Sequence, residues 1–357
     1  MVVGYSLGNK NPENDILVIG ENDPDVVTFS SSLEVALTRQ CHNACGYCPF
    51  KGNEELSIPY STINNAKQAR LRGIREVHYM SGERPDKSSY IRSILNLWGF
   101  PTYADYIYTV AELGFLEGLI PVLEAGICSI NELSKFQDIV ALYKIMLDGI
   151  DEKNHHTVHE KSIGKKLDYR LKMLEWTGKL NFPVITGFIT GIGETKAFRK
   201  EMLKLISQAH QEYGHVHEVL IQNFVPSPNT VLAQKSAPST HLMLDTIELA
   251  QSILPEDITL TVPIHLNQGI IPEILKAGIR DFGRIPDTTS IVFPHIPKLQ
   301  FETLEQAVND AGLRLQQRFP IKYDFIKNGN YCKKLGQVFD AYKYKIKKAD
   351  QLKAANV

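Results

Sequence analysis

Cys41-His42-Asn43-Ala44-Cys45-Gly46-Tyr47-Cys48 places three cysteines within eight residues, spaced C-x3-C-x2-C. The run follows an apolar stretch, Leu33 to Thr38, that reads as a strand. Thiolates that close converge on a metal or lie in a tight reactive loop. The chain has five cysteines in 357 residues, and its start, Met1 to Lys10, lacks the form of a secretory signal, so a disulfide framework is not expected. A closed zinc site takes four ligands, commonly from two separated pairs, and His42 does not readily complete a tetrahedron. An iron–sulfur cube normally takes four cysteines. Three would leave one iron open to a small molecule. Zinc, or an electron-transfer cluster with Cys128 or Cys332 as fourth ligand, stand as alternatives, although isolated thiols are most often simply buried.

Outward from the cysteines, the composition sets bounds. Hydrophobic residues make up 43% and charged residues 22% of the chain, with a formal net charge of −1. That is ample material for a core, and it supplies no global field to recruit nucleic acid or an anionic membrane. The basic run Lys343-Tyr344-Lys345-Ile346-Lys347-Lys348 reads as a solvated helix face. No apolar stretch reaches membrane-spanning length, and the cytoplasm is the expected location.

From Leu33 onward short apolar runs alternate with amphipathic stretches, the pattern of βα units around a parallel sheet. Strands are expected at 33–38, 76–80, 119–123, 140–147, 183–190, 216–224, 258–262 and either 279–283 or 289–293. Helices are expected at 60–72, 102–114, 165–178, 195–212, 241–253 and 301–318. Ser129-Ile130-Asn131-Glu132 has the form of a capping box opening a further helix to about Gln137. The Pro-rich stretch 226–240 reads as a long loop. Eight strand signals predict an α/β fold, a complete (βα)8 barrel, with its chemistry at the C-terminal strand ends where the cysteine run falls. The expected organisation is an irregular segment 1–30, the barrel at 31–320, and a helical extension at 321–357.

The cysteine spacing, with aromatic Tyr47 before the last cysteine, resembles the radical S-adenosylmethionine (SAM) enzymes. The resemblance implies a [4Fe–4S] cluster on Cys41, Cys45 and Cys48, whose open iron chelates SAM and breaks it to a 5′-deoxyadenosyl radical. Ser81-Gly82-Glu83, after the second strand, looks like a variant of the Gly-Gly-Glu that contacts the SAM amine in that superfamily. Gly187-Phe188-Ile189-Thr190-Gly191-Ile192-Gly193-Glu194 matches its G-x-I-x-G-x-x-E pattern, an apolar strand able to cover an adenine, followed by glycines that admit close approach. A phosphate loop is the alternative, but Walker and GxGxxG spacings are absent. Asp148, at the end of the fourth strand, is a candidate for the SAM ribose or amine. Arg170 is one for its carboxylate. Tyr47, Gly82, Glu83, Asp148, Arg170, Gly187, Ile189, Gly191 and Glu194 are therefore the expected cofactor-binding residues. Glu124 is a further charged residue at a strand end.

His215 and His217 are two apart in a strand and share a face, so metal ligation is imaginable, but no third ligand is evident. Gln222 and Asn223, at the end of that strand, can both donate and accept hydrogen bonds from a substrate rich in carbonyl and N–H groups. Several segments narrow the resemblance to the CofG-type subunit of 7,8-didemethyl-8-hydroxy-5-deazariboflavin synthase. They are Cys41 to Phe50, Ser81 to Pro85, Tyr103 to Glu112, Arg170 to Thr195, and Tyr213 to Phe224. The resemblance implies a lyase that closes the deazaflavin ring from a tyrosine–diaminouracil adduct with loss of ammonia. It also implies a CofH-like partner subunit and an external electron donor, and it sets Gln222, Asn223 and Asp281 as catalytic candidates. The C-terminal third departs from the family pattern. Pro263-Ile264-His265-Leu266-Asn267 stands for Pro-Pro-Asn-Leu, Asp281-Phe282-Gly283-Arg284 for Asp-Trp-Gly-Gly, and Ile285-Pro286-Asp287-Thr288 for Ser-Pro-x-Thr. Those loops are expected at the barrel mouth. A CofG-like enzyme for another tyrosine-derived or amine-bearing substrate remains an open reading, as does a cluster protein that only carries electrons.

Overall fold

Alternation of period two sets the architecture. Along β1 (Val26–Thr38), Val27, Phe29, Leu33, Val35 and Leu37 join the main apolar core, while Ser30, Ser32, Glu34 and Thr38 fall on the opposite face. In β2 (Glu76–Ser81) Val77 and Tyr79 belong to that core, and Glu76, His78 and Met80 alternate with them. The outer face packs on helices; the inner face encloses the barrel axis. In the computed structural model, residues 23–52, 55–149, 158–329, 331 and 334–341 are described.

The other strands are β3 (Ile120–Glu124), β4 (Leu142–Met146), β5 (Val184–Thr190), β6 (Val216–Asn223), β7 (Thr259–Thr261), β8 (Asp281–Pro286) and β9 (Arg314–Gln317). All pair in parallel, in the order β7-β6-β5-β4-β3-β2-β1-β8, with β9 added to β1. β1 is long enough to serve three neighbours: Ser32 onward pairs β2, Thr28 to Ser32 pairs β8, and Val26 to Phe29 pairs β9. Among the described residues β7 and β8 share no ladder; Gly283 instead backs onto the Thr261 side chain, so the barrel is nearly rather than fully closed.

Helices cover the outside at Pro59–Leu71, Tyr103–Leu116, Leu167–Lys179, Lys196–Tyr213 and Thr240–Gln251. The capping box is present: Ser129 N donates to Glu132 Oε2 at 2.7 Å and Glu132 N to Ser129 Oγ at 3.3 Å. The expected helix 301–318 stops at Asp310, because Gly312 takes φ +75° and turns the chain into β9. The last barrel strand lies at the 279–283 alternative; 289–293 is irregular. β1 begins at Val26, inside the segment expected to be irregular, and Ser89–Leu97 and Ile271–Lys276 are helices the pattern did not reveal. Residues 1–22 and the basic run 343–348 lie outside the described residues.

The N-terminal end of the barrel is plugged by its own tail. Phe319, Ile321, Phe325, Ile326, Leu335 and Phe339 form one cluster with Ile120, Val122, Leu142, Ile185 and Leu220. Arg318 enters beside them, fully buried, its Nε donating to Asp281 Oδ2 at 2.6 Å. Asp281 was expected at the mouth. As the first residue of a parallel strand it sits at the opposite end from the cysteines, where Arg318 and Thr28 hold its carboxylate, and it does not line the site.

Candidate active site

Parallel strands put all their C-terminal ends on one side of a barrel. Here those ends converge on one cavity of about 230 Å³, reached by the cysteine loop after β1, Gly82 and Glu83 after β2, Glu124 in β3, Asp148 after β4, Ile189 in β5 and Gln222 in β6. Cys41, Cys45 and Cys48 all line it as free thiols. Burial and the neighbouring Cys45 push the Cys48 thiol up to about 12, and burial also raises Cys41. Cys41 and Cys48 are each harder to ionise beside Cys45, and a bound cation would relieve that cost, so the three thiols suit a metal donor set. Among the described residues no trio of His, Cys, Asp or Glu converges to hold a single ion. A cube differs from a single ion in that its ligands each take a different iron, so three thiols on one loop remain a compatible donor set. Cys128 lies elsewhere, its Sγ 3.1 Å from Tyr143 Oη, and Cys332 is outside the described residues.

The loop is held from below by a buried carboxylate. Glu83 accepts from Ile127 N at 2.6 Å, Arg170 Nη2 at 2.8 Å and Asn43 Nδ2 at 3.2 Å. Its own backbone N donates to Cys41 Sγ at 3.1 Å, and its carbonyl accepts from His42 N at 2.8 Å. A side chain at Gly82 would collide with the Gln40 carbonyl and Cys41 Cβ, so only glycine lets the end of β2 touch the cysteine loop. Arg170 also donates from Nε to Gly164 O at 2.6 Å. Glu83 and Arg170, expected as separate SAM ligands, are thus one buried ion pair on the cavity wall.

Asp148 forms a second hub. It accepts from Lys165 Nζ at 2.6 Å, Tyr47 Oη at 3.1 Å and Ile189 N at 3.1 Å. Burial opposes its charge, but Lys165 outweighs that and holds the carboxyl below its usual range. Tyr47, Asp148 and Ile189 therefore meet although they are far apart in sequence. The remaining members of the β5 signature shape the backbone. A Cβ on Gly187 (φ +139°) would collide with the Leu220 carbonyl oxygen of β6. Glu194 accepts from Gly191 N at 2.9 Å and Gly193 N at 3.2 Å and pairs with Arg199 at 3.0 Å, pinning its own loop. None of Gly187, Gly191 and Glu194 is in the cavity lining.

Gln222 lines the cavity and its neighbour does not, as alternation requires. Asn223 is turned toward the loop after β7, where Nδ2 donates to Leu266 O at 3.3 Å and Oδ1 accepts from Asn267 Nδ2 at 2.8 Å. His217 Nε2 accepts from Lys322 N at 2.9 Å, and burial keeps both His217 and His215 neutral, the latter down to about 4. Neither is placed as a metal ligand.

The sequence reading missed a polar belt on the inner face: Glu34 of β1, His78 of β2 and Lys144 of β4, with Glu124 between the last two. Lys144 Nζ lies 2.9 Å and His78 Nε2 3.5 Å from Glu124 Oε2. Burial works against the Glu124 charge, and Lys144 and His78 overcome it, holding the carboxyl far below its usual range. His265 and Arg284, in the segments that depart from the family pattern, both reach this cavity. Burial, with Lys144 nearby, lowers His265 to about 4. Arg284 pairs with Glu76 at 2.8 Å and Glu218 at 3.0 Å. The available signal was a charged or ionisable side chain alternating with core residues, clearest at Lys144 in the otherwise apolar β4.

The chain is 33% identical over 319 residues to the 7,8-didemethyl-8-hydroxy-5-deazariboflavin synthase of Archaeoglobus fulgidus, covering 89% of this chain and 97% of that one. It is 31% identical over 326 residues to the protein of the same name from Methanopyrus kandleri, covering 88% and 97%. No protein-family model matches. Among solved structures the fold is similar to the FeFe-hydrogenase maturase HydG from Carboxydothermus hydrogenoformans, with a TM-score of 0.65 at 13% identity over 82% of this chain and 68% of that one. It is also similar to methylornithine synthase (PylB), with a TM-score of 0.60 at 14% identity over 82% and 84%.

Proposed function

The chain belongs to the 7,8-didemethyl-8-hydroxy-5-deazariboflavin synthase family, and from that premise we propose that its cavity carries out the ring-closing, ammonia-releasing step of deazaflavin synthesis. It is a CofG-like radical SAM enzyme of that synthesis. The observation that carries the finer assignment is the convergence of Cys41, Cys45 and Cys48 on the same cavity as the paired Glu83–Arg170 and Asp148–Lys165 hubs. In this reading the three thiolates hold a [4Fe–4S] cluster. When bound, the cluster and SAM supply a 5′-deoxyadenosyl radical at the cavity.

The chain's own residues then bind, orient and exclude water. Tyr47 and Ile189 wall the SAM side, with Tyr47 packed edge-on against His159 at 5.5 Å between ring centroids. Asp148, fixed by three donors, offers its remaining acceptor capacity to the ribose or amine of SAM. Gly187, Gly191 and Glu194 set the backbone path of that wall. Gln222, which lines the cavity from β6, is the amide that would meet a uracil edge, and Asn223 holds the loop that carries His265. In this reading the catalytic barrel, expected at 31–320, already begins at Val26, and the described residues after 320 close its N-terminal end. A CofH-like partner that makes the adduct, an external electron donor and a cytoplasmic setting complete it. No described helix is long and apolar enough to cross a membrane.

One observation favours a second reading. Arg284, paired with Glu76 and Glu218, fills space in the cavity where the family pattern has glycine, which suits a related substrate of different shape. Anaerobic, reduced protein given SAM and the tyrosine–diaminouracil adduct is expected to produce deazaflavin fluorescence. Cleavage of SAM without that fluorescence would keep the enzyme class and favour the second substrate.

A further inference from the structure

We propose that Glu34 is the residue that recognises a primary ammonium group on the substrate. Five carboxylates line the cavity: Glu34, Glu83, Glu124, Asp148 and Glu218. Four cations line it too, and each is already matched: Arg170 to Glu83 at 2.8 Å, Lys144 to Glu124 at 2.9 Å, Lys165 to Asp148 at 2.6 Å and Arg284 to Glu218 at 3.0 Å. Glu34 is the carboxylate left over. Among the described residues no cation pairs with it.

Its geometry is that of a group held out to a ligand. Oε2 accepts from Ser290 Oγ at 3.0 Å and from Ile291 N at 2.8 Å, both on the segment after β8. Oε1 accepts no hydrogen bond from the described residues, and the side chain lies on the inward face of β1 opposite His78 of β2. A half-buried carboxylate with no ion-pair partner is costly to keep charged. Burial accordingly raises its pKa, although His78 and, more weakly, Lys144 pull the other way without forming an ion pair with it. A ligand ammonium at Oε1 would supply the missing charge and complete the hydrogen bonding at once. If the only task were to anchor Ser290 and Ile291, an amide oxygen would serve as well. This inference rests on the proposed function for its choice of an amine-bearing substrate, and it adds the residue that reads the amine.

Tyramine and 4-ethylphenol, which differ by the ammonium alone, are the probes, with binding to the iron-loaded protein measured by calorimetry. The unaltered protein should prefer tyramine by about tenfold, the scale of one charge-assisted hydrogen bond. Glu34→Gln, which keeps both anchoring acceptor contacts, should bring the ratio close to one while leaving 4-ethylphenol affinity in place. No preference in the unaltered protein, or a preference that survives Glu34→Gln, overturns the proposal. Should that variant not fold, Glu34→Asp carries the same comparison. Retracting the carboxylate should shrink the preference, and an undiminished preference overturns the proposal. Deazaflavin formation plays no part in the readout. A Glu34-dependent preference without deazaflavin product would therefore sink the substrate assignment and leave the amine site standing.

Discussion

Glu83 joins what the sequence shows only separately. The cysteine spacing was legible because it is local, eight residues whose chemistry needs no fold to be read. The pairing of Glu83 with Arg170 was not, since the partners are 87 positions apart and only barrel closure brings them to 2.8 Å. Two predictions belong at this scale. Arg170→Met leaves Glu83 buried and unpaired, and breaking such a pair costs about 3–5 kcal/mol. Because Glu83 also holds Asn43 and Ile127 N, the unfolding midpoint should fall and iron content with it. Iron retained at the parent level would show that the cysteine loop stands without this hub. Separately, Cys41→Ala, Cys45→Ala and Cys48→Ala should each lose the cluster on anaerobic reconstitution, and Cys128→Ala should keep it. Iron loss in Cys128→Ala would mean that the buried Tyr143 partner had been misread as inert.

Among elements, strand existence was easier to read than strand face. β2 to β7 fall at the expected places because each is a short apolar run between turns. What the run conceals is which side chains face inward. Lys144 is a single charged letter in an apolar strand, while Glu34 and His78 stand among other polar residues of β1 and β2, and only register makes the three a belt. β9 escaped notice because its residues, Arg314-Leu315-Gln316-Gln317, continue a helical-looking pattern beyond Gly312, where the chain has already turned. The β5 signature separates into two kinds of glycine. Gly187→Ala would drive a Cβ into the backbone of β6 and should abolish folding or lower the midpoint severely. At Gly191 (φ +101°) the new Cβ meets the Pro238 ring, 3.0 Å away, so Gly191→Ala should be folded but strained, with weaker SAM binding. Equal stability of the two variants, read by thermal unfolding, would contradict this division.

The molecule as a whole is a barrel closed at one end by its own tail and open at the other to a polar cavity. Its interior charges make stability depend on pH. His215 and His265 are depressed from 6.5 to about 4, and His217 is held well below its usual range by burial and Arg318. Above 6.5 these residues are neutral in both states. As pH falls, the unfolded chain binds protons that the native state refuses, so stability is lost from about pH 6.5 downward toward 4. Each histidine contributes a slope of at most about 1.4 kcal/mol per pH unit. Asp148 and Glu124, also depressed, extend the loss to lower pH, and the raised Glu34 partly offsets it. A urea midpoint at pH 5 no lower than at pH 7 would contradict the buried neutral histidines. The proposed function requires this cavity to turn a SAM-derived radical on a tyrosine–diaminouracil adduct. Its most direct test is isotope transfer. Reduced protein with SAM and an adduct deuterated in its tyrosine-derived portion should yield deuterium-labelled 5′-deoxyadenosine together with deazaflavin, and Cys45→Ala should yield neither. Unlabelled 5′-deoxyadenosine with the adduct recovered intact would contradict it.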